Sequence, residues 1–307
     1  MNLSDIKKRW TSGDLTKVAY IDAMFEKHRR LFEYVALLQD TDIESIEIKS
    51  DGILWRSRPH GLRWFTAMPD KRTAPFEILN FDHYEPEYLD MMTRLMDPGM
   101  TMMDIGANIG WYSLNFAKAV SGVKVCAFEP VPPTFKQLEK NINLNTLSIQ
   151  AFNFGFSDRP GFFDFFVDPD LSTSASAVNI TGLPDVQPIS CKLETLDAFV
   201  ETHGLKPDFI KCDVEGAELL VFRGGQKTME QFTPIVCAEM LRKWAARYQY
   251  HPNDIIDLFG KWGYNCYYIE NGVLTALLQM NETTEATNFI FLHREKHKAK
   301  IQQFTKT

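Results

Sequence analysis

MMDIGANIGWYSLNFAKA, residues 102–119, runs from an apolar strand through a glycine turn into a helix. The strand ends at Asp104, the loop carries glycines at 106 and 110, and a helical stretch covers 111–120. Glycine at such a turn lets the backbone bend sharply and lets a ligand approach closely. The next apolar run closes on Phe128-Glu129-Pro130, with Glu129 nineteen residues beyond Gly110. At that spacing an acidic side chain reaches the ribose of a nucleoside bound at the turn. Its two oxygens accept strong hydrogen bonds from vicinal hydroxyls. Strand, turn, helix and distant acid all stand in the required order, so a nucleoside ligand is expected.

The same alternation continues to the end of the chain. Strands are expected at 101–105, 123–129, 149–156, 208–213, 234–240, 265–270 and 288–293, with helices at 111–120, 132–144, 193–203, 215–223 and 252–262. This pattern predicts a doubly wound, mostly parallel α/β sheet covered on both faces. The final two strands, joined without a helix, predict an antiparallel hairpin at one edge. Ligands are expected at the carboxyl ends of the strands.

The loop chemistry separates nucleosides. A dinucleotide site prefers a further glycine beside the pyrophosphate; this loop has Asn108 there and Asp104 ahead of it. An acid beside the turn suits a cationic sulfonium with an amino-acid end, so S-adenosylmethionine is favoured over NAD.

Upstream, residues 14–39 place Val18, Ile21, Phe25, Leu31, Phe32, Val35 and Leu38 at steps of three and four. The stripe predicts a helix packed on the main domain. A homo-oligomer contact or a lid are the other readings. IESIEIKSDGILWRSR (43–58) holds Asp51-Gly52 between alternating runs, a hairpin signal, and LRWFTAM (62–68) adds a third strand. A helix is expected from Glu85 to Met96, stopped by Pro98-Gly99. The expected organisation is an N-terminal extension of helix and small β-ribbon over 1–74, a cofactor-binding domain over 75–295, and a basic solvated tail over 296–307.

Composition bounds the partners. In 307 residues, 45% hydrophobic and 24% charged residues describe a globular chain. A net charge of −7 argues against nucleic acid as a partner. No stretch has the apolar core of a signal peptide or the ~20 apolar residues of a membrane span. Five widely spaced cysteines without C-x-x-C spacing fit the reducing cytoplasm.

Three segments, DIGANIGWYS (104–113), AFEP (127–130) and DFIKCDVEGAELLVFRGG (208–225), together resemble the FkbM family of S-adenosylmethionine-dependent methyltransferases. The Tyr84-Glu85 pair is similar to the family as well, and the likeness covers roughly residues 75–292. The resemblance implies a Rossmann-like class I methyltransferase sheet. It implies that Gly106, Asn108 and Gly110 line the methionine and ribose, with Asp104 and Glu85 beside them, and that Glu129 holds the ribose. Ser157 and Asp158 fall where such enzymes set polar groups against the adenine, although Ser-Asp-Arg-Pro is equally a turn sequence.

In Phe209-Ile210-Lys211-Cys212-Asp213, Lys211 and Asp213 share one side of a strand, and Asp213 stands at its carboxyl rim. Asp213 and Glu215 are candidate catalytic acids, Asp213 also a partner for the cofactor's amino group, and Lys211 their internal counter-ion. Glu218 reads as a helix N-terminal charge. Glu239, at the end of PIVCAEM, sits on the neighbouring rim and offers a base, a metal ligand or a substrate anchor. Catalysis then rests on alignment, on a base that takes a hydroxyl proton, or on a divalent cation that favours the alkoxide. His83 and His251 are weaker acid–base candidates. The polar run 171–184 reads as a solvated loop.

The acceptor class comes from the resemblance alone: O-methylation of a hydroxyl on a glycan, another carbohydrate or a secondary metabolite. An NAD-dependent oxidoreductase and a non-catalytic cofactor-binding module are the competing readings. The loop and the lack of a Tyr-x-x-x-Lys pair oppose the first; the intact acids oppose the second.

Overall fold

The computed structural model describes residues 1–67, 70–168, 171–176 and 188–306. Helix α1 (Leu3–Thr11) starts at a capping box between Asn2 and Asp5, and α2 (Lys17–His28) starts where the Thr16 hydroxyl accepts the Ala19 N–H. A 3-10 turn, Arg29–Phe32, joins α2 to α3 (Glu33–Asp40). The single helix expected over 14–39 is therefore three pieces, with α1 added before it. Of its stripe, only Leu38 packs against the core. Val18 is 68% exposed, Phe25 60% and Phe32 75%.

The ribbon forms as its Asp-Gly turn dictates, from β1 (Ile43–Lys49), β2 (Gly52–Ser57) and β3 (Arg63–Thr66), all antiparallel. Trp55 and Trp64 project from it into the same apolar core as Met102 and Leu114. Helices α4 (Ala74–Phe81) and α5 (Pro86–Leu95) follow, each with proline in its first turn, where the missing N–H costs nothing.

The large sheet then builds by right-handed alternation. Its elements are β4 (Thr101–Ile105), α6 (Trp111–Ala119), β5 (Lys124–Phe128), α7 (Pro132–Asn145) and β6 (Ile149–Phe152). The expected strand 149–156 breaks here: β7 (Gly155–Phe156) leaves for a second sheet with β8 (Gly161–Asp168), β9 (Leu171–Ser176) and β10 (Pro188–Glu194). That four-stranded sheet replaces the solvated loop expected at 171–184, of which 177–184 lie outside the described residues. It also shortens the helix expected at 193–203 to α8 (Leu196–His203).

The chain returns through β11 (Phe209–Cys212), α9 (Glu218–Arg223), α10 (Gln226–Phe232), β12 (Ile235–Glu239), α11 (Arg242–Ala245) and α12 (Pro252–Lys261). It closes with β13 (Tyr264–Glu270), β14 (Val273–Leu277), β15 (Asn288–His293) and α13 (Lys298–Phe304). The strand order is β14-β13-β15-β12-β11-β4-β5-β6. Strands β12, β11, β4, β5 and β6 are parallel, and β15 inserts antiparallel between β12 and β13. The edge hairpin is therefore β13–β14, not the pair expected from the last two apolar runs.

Alternate residues of each strand feed two cores. Met102, Phe209, Cys237 and Ile290 face one; Met103, Ile210, Val236 and Phe291 face the other. Burial on both sides explains why these strands read as nearly unbroken apolar runs. All five cysteines lie buried and unbonded in strands. The C-terminus is not a solvated tail. Phe304, under the Arg94 guanidinium, is 4% exposed, and Thr305 bridges to Leu274. Its lysines mask two apolar residues, Ile301 and Phe304, spaced to reach the core.

Candidate active site

The sheet changes winding direction at β4: β5 and β6 extend to one side, β11 and β12 to the other. Such a point opens a crevice at the strand carboxyl ends. Here the Gly106 and Ala107 N–H groups donate to the Phe128 carbonyl at 3.0 and 2.9 Å, folding the loop over β5. Gly106 has φ +78°, and a Cβ there would lie 1.9 Å from the Asp213 carbonyl oxygen. Only glycine lets the loops after β4 and β11 touch.

These loops wall a cleft of about 560 Å³. Gly106, Asn108, Glu129, Ser157, Lys211, Asp213, Glu215 and Glu239 line it, as expected from sequence. Asn108 takes a left-handed conformation (φ +48°), its side-chain oxygen accepting the next N–H at 2.7 Å. Glu129, 6% exposed, accepts the Asn108 N–H at 3.0 Å and the Val131 N–H at 2.9 Å. Burial pushes its carboxyl up to about 7 against those two hydrogen bonds.

Lys211 is fully engaged. Its ammonium donates to the Gly106 carbonyl at 3.0 Å and lies 3.5 Å from Asp104 and 3.3 Å from Asp213. It ties the glycine loop to the acids as an internal counter-ion. Asp213, Glu215 and Glu239 bring carboxylate oxygens within 4.8 Å of one another. Burial, then Asp213, push Glu215 up to about 9; the same two causes raise Glu239, which also hydrogen-bonds Asp213. Glu215 has φ +54°, and its turn is held by Glu218, whose Oε1 accepts the Val214 and Gly216 N–H groups at 3.0 and 3.2 Å. Glu218, expected as a helix N-terminal charge, stands at the first position of α9 and is a buried cap of this turn.

Several expected site residues stand elsewhere. Asp104 is 0% exposed beneath the loop, where it accepts the Ser113 N–H and hydroxyl at 3.1 and 2.6 Å and faces Lys211. It braces the helix start and lies outside the cleft lining. Glu85 also lies behind the lining, its carboxylate taking the Tyr112 hydroxyl and the Asn288 amide. Gly110 serves packing, since a Cβ would strike Leu114 and Leu138. Asp158 does not line the cleft; its neighbours Ser157 and Arg159 do. His83 pairs with Asp42 at 2.8 Å and His251 caps α12, both away from the lining.

The sequence reading missed the aromatic walls: Tyr84 and Trp111 at one end, Phe163 and Phe165 from β8, and Trp244 and Tyr248 after Glu239. Trp244 packs so closely on the acid turn that a Cβ on Gly216 would lie 2.7 Å from its backbone. The four-residue step from Trp244 to Tyr248, on the segment following a rim acid, was the available signal.

These residues fit S-adenosylmethionine. The cleft has the size of a small-ligand site, and its lining combines the buried carboxylate of Glu129, the apolar Phe156 and Leu193, and the acids Asp213, Glu215 and Glu239, a mix that suits a nucleoside with a cationic end.

Residues 104–266, more than half of the 307, match the methyltransferase FkbM domain family. The chain belongs to that family. A hexuronic acid methyltransferase, AglP, of Haloferax volcanii is 26% identical over 153 residues, covering 50% of this chain and 61% of AglP. The AMB antimetabolite synthetase AmbE of Pseudomonas aeruginosa is 27% identical over 165 residues, covering 42% of this chain and 8% of AmbE. The chain thus spans less than two thirds of the length of either relative. A crystal structure of an FkbM methyltransferase from Methylobacillus flagellatus aligns with 16% identity and a TM-score of 0.41, over 70% of this chain and 52% of that one.

Proposed function

We propose that this FkbM-family chain is an S-adenosylmethionine-dependent O-methyltransferase acting on a hydroxyl of a carbohydrate or secondary metabolite. The observation that carries the reading is the convergence of Asp213, Glu215 and Glu239 at the crevice mouth beside the glycine loop and Glu129. When bound, S-adenosylmethionine supplies an electrophilic methyl group on a cationic sulfur. Glu129 accepts the ribose hydroxyls, and Gly106 and Asn108 admit the methionine end. Glu215, raised to about 9, holds its proton at neutral pH, and Glu239 is raised by the same causes, so the three carboxyl groups titrate together and leave a vacancy for an incoming proton. The acceptor hydroxyl gives its proton to that vacancy as the oxygen attacks. Lys211 keeps the cluster at the loop. Trp244, Tyr248 and Tyr84 present flat faces for a ring-shaped acceptor, and the hexuronic acid named for AglP supports a sugar.

The buried, unbonded cysteines support a cytoplasmic setting. Among the described residues no helix is long and apolar enough to cross a membrane.

The test is methyl transfer from labelled S-adenosylmethionine to a panel of glycans, read by mass spectrometry. Asp213→Asn is expected to lower kcat by ~10²–10⁴ with cofactor affinity kept. If chelator stops the wild type and added divalent ion restores it, the three oxygens act as a cation site instead. Normal turnover by Asp213→Asn removes the cluster from the mechanism.

A further inference from the structure

The segment from Lys17 to Asp40 carries a surface that nothing in the described chain covers. Val18, Ile21, Phe25, His28, Phe32 and Val35 recur at steps of three and four, a seam repeating every seven residues. Of these the five apolar residues are 68%, 53%, 60%, 75% and 60% exposed. Neither α2 nor α3 buries a single residue. The opposite side of α2 rests on α1, where Tyr20 stacks on Trp10 at 5.1 Å. The seam therefore points away from the body of the protein, and α1 holds it there.

With Leu31, which is 52% exposed, six large apolar side chains of one seam stand more than half exposed, a patch of the kind that marks a protein interface. The charges beside it are self-complementary. Numbering the heptad from Val18 puts Asp22 and Arg29 on one flank, Met24 and Leu31 on the other. The seam crosses the 3-10 turn Arg29–Phe32, whose flanking residues His28 and Glu33 keep right-handed helical backbone; two such segments laid antiparallel about a two-fold axis set Val18 against Val35, Ile21 against Phe32 and Phe25 against His28. The flanks then pair Asp22 of each copy with Arg29 of the other, which also holds Glu26 of its own chain at 3.0 Å, and Met24 with Leu31. A parallel pairing makes neither match, because equal residues would face each other. The polar side of the segment mixes Glu26 and Glu33 with Lys27 and Arg30, unlike the uniformly basic polar face that binds an anionic bilayer.

We infer that this seam is a homodimer interface in which the α2–α3 rods of two copies pack antiparallel. The interface is isologous, so it closes at two copies. It lies outside the cleft lining and stands whether or not the methyl-transfer reading holds. The His28 ring, facing Phe25, is the one polar group in the seam.

Light scattering and sedimentation equilibrium on the full chain test it. The wild type should show twice the 35.4 kDa chain mass. Phe25→Asp with Phe32→Asp should give the single-chain mass with unchanged circular dichroism and unchanged S-adenosylhomocysteine binding. Asp22→Arg alone should raise the dissociation constant about tenfold, and Asp22→Arg with Arg29→Asp should restore it. A wild type of single-chain mass at every concentration overturns the proposal, as does a dimer that survives both aspartates. Failure of the charge swap to restore affinity overturns the antiparallel pairing. Monomeric wild type that floats with phosphatidylserine vesicles assigns the seam to lipid instead.

Discussion

Glu129 shows how one side chain serves both fold and ligand. Its oxygens already hold two backbone N–H groups, and the remaining lone pairs face the cleft. A carboxylate is a better acceptor than a carboxylic acid for hydroxyl donors. With its pKa raised to about 7, Glu129 gains a proton just below neutrality. Cofactor affinity is therefore expected to fall as pH drops through about 7, in calorimetric titrations at a series of pH values. In Glu129→Gln the affinity should be roughly tenfold to hundredfold weaker at pH 8 and insensitive to pH over that interval. Glu215 works in the other sense on stability. Its pKa lies at about 9 in the folded protein against 4.5 ordinarily, so the folded state binds the extra proton. That contribution is complete below about 4.5 and is lost as pH rises toward 9. Glu215→Gln should flatten the fall in Tm between pH 6 and 9 and should be the more stable protein at pH 9. A variant that loses Tm in parallel with the wild type would place the proton elsewhere.

At the scale of elements, the contact between the two loops carries the site. Gly106→Ala forces a Cβ against the Asp213 carbonyl and should cost at least ~2 kcal/mol in denaturant unfolding, with loss of cofactor binding. Gly204 also has a left-handed backbone but faces open space, and Gly204→Ala should cost only ~1 kcal/mol. This contact was half legible in the sequence. The glycine turn, the acid after β5 and the acids after β11 follow from residue type and spacing, and each of these lines the cleft. What spacing does not give is depth. Asp104 lies inside β4 level with Lys211 and turns under the loop to Ser113, while Asp213 lies one residue past β11 and faces the crevice. Local pattern also hid the second sheet: β10 needs β8 as its antiparallel partner, a pairing set by long-range packing. The N-terminal stripe was read correctly as one apolar face and wrongly as a buried one. Periodicity reports that a face exists, and only its surroundings report what covers it.

For the whole molecule, selection among nucleosides is an electrostatic matter. The cleft lining sets Glu129, Asp213, Glu215 and Glu239 beside Lys211, Arg72, Arg159 and Lys243; Lys211 is bound to Asp104, Asp213 and the Gly106 carbonyl, Arg72 to Glu77, and Lys243 lies over the Trp244 ring. A dinucleotide would set its anionic pyrophosphate at the glycine loop, beside Asp213, where Lys211 is already shared between Asp104, Asp213 and the Gly106 carbonyl. A sulfonium and an ammonium reverse that sign and meet acids on the same wall. Ligand that binds only the folded state stabilises it by about 2.7 kcal/mol at a hundredfold excess over Kd. In a chain of this size that corresponds to a rise in Tm of about 4 °C. Differential scanning calorimetry should show this shift with S-adenosylmethionine and with S-adenosylhomocysteine, and none with NAD at the same concentration. The sulfonium attraction is separable from the nucleoside contacts, because S-adenosylhomocysteine keeps the ribose, purine and amino-acid groups but has a neutral sulfur. Asp213→Asn should narrow the gap between the two ligands if that acid faces the sulfonium, and leave it unchanged if the acid acts only on the acceptor. An equal or larger shift with NAD would mean that the loop holds a pyrophosphate after all, and the assignment of the cleft would fall with it.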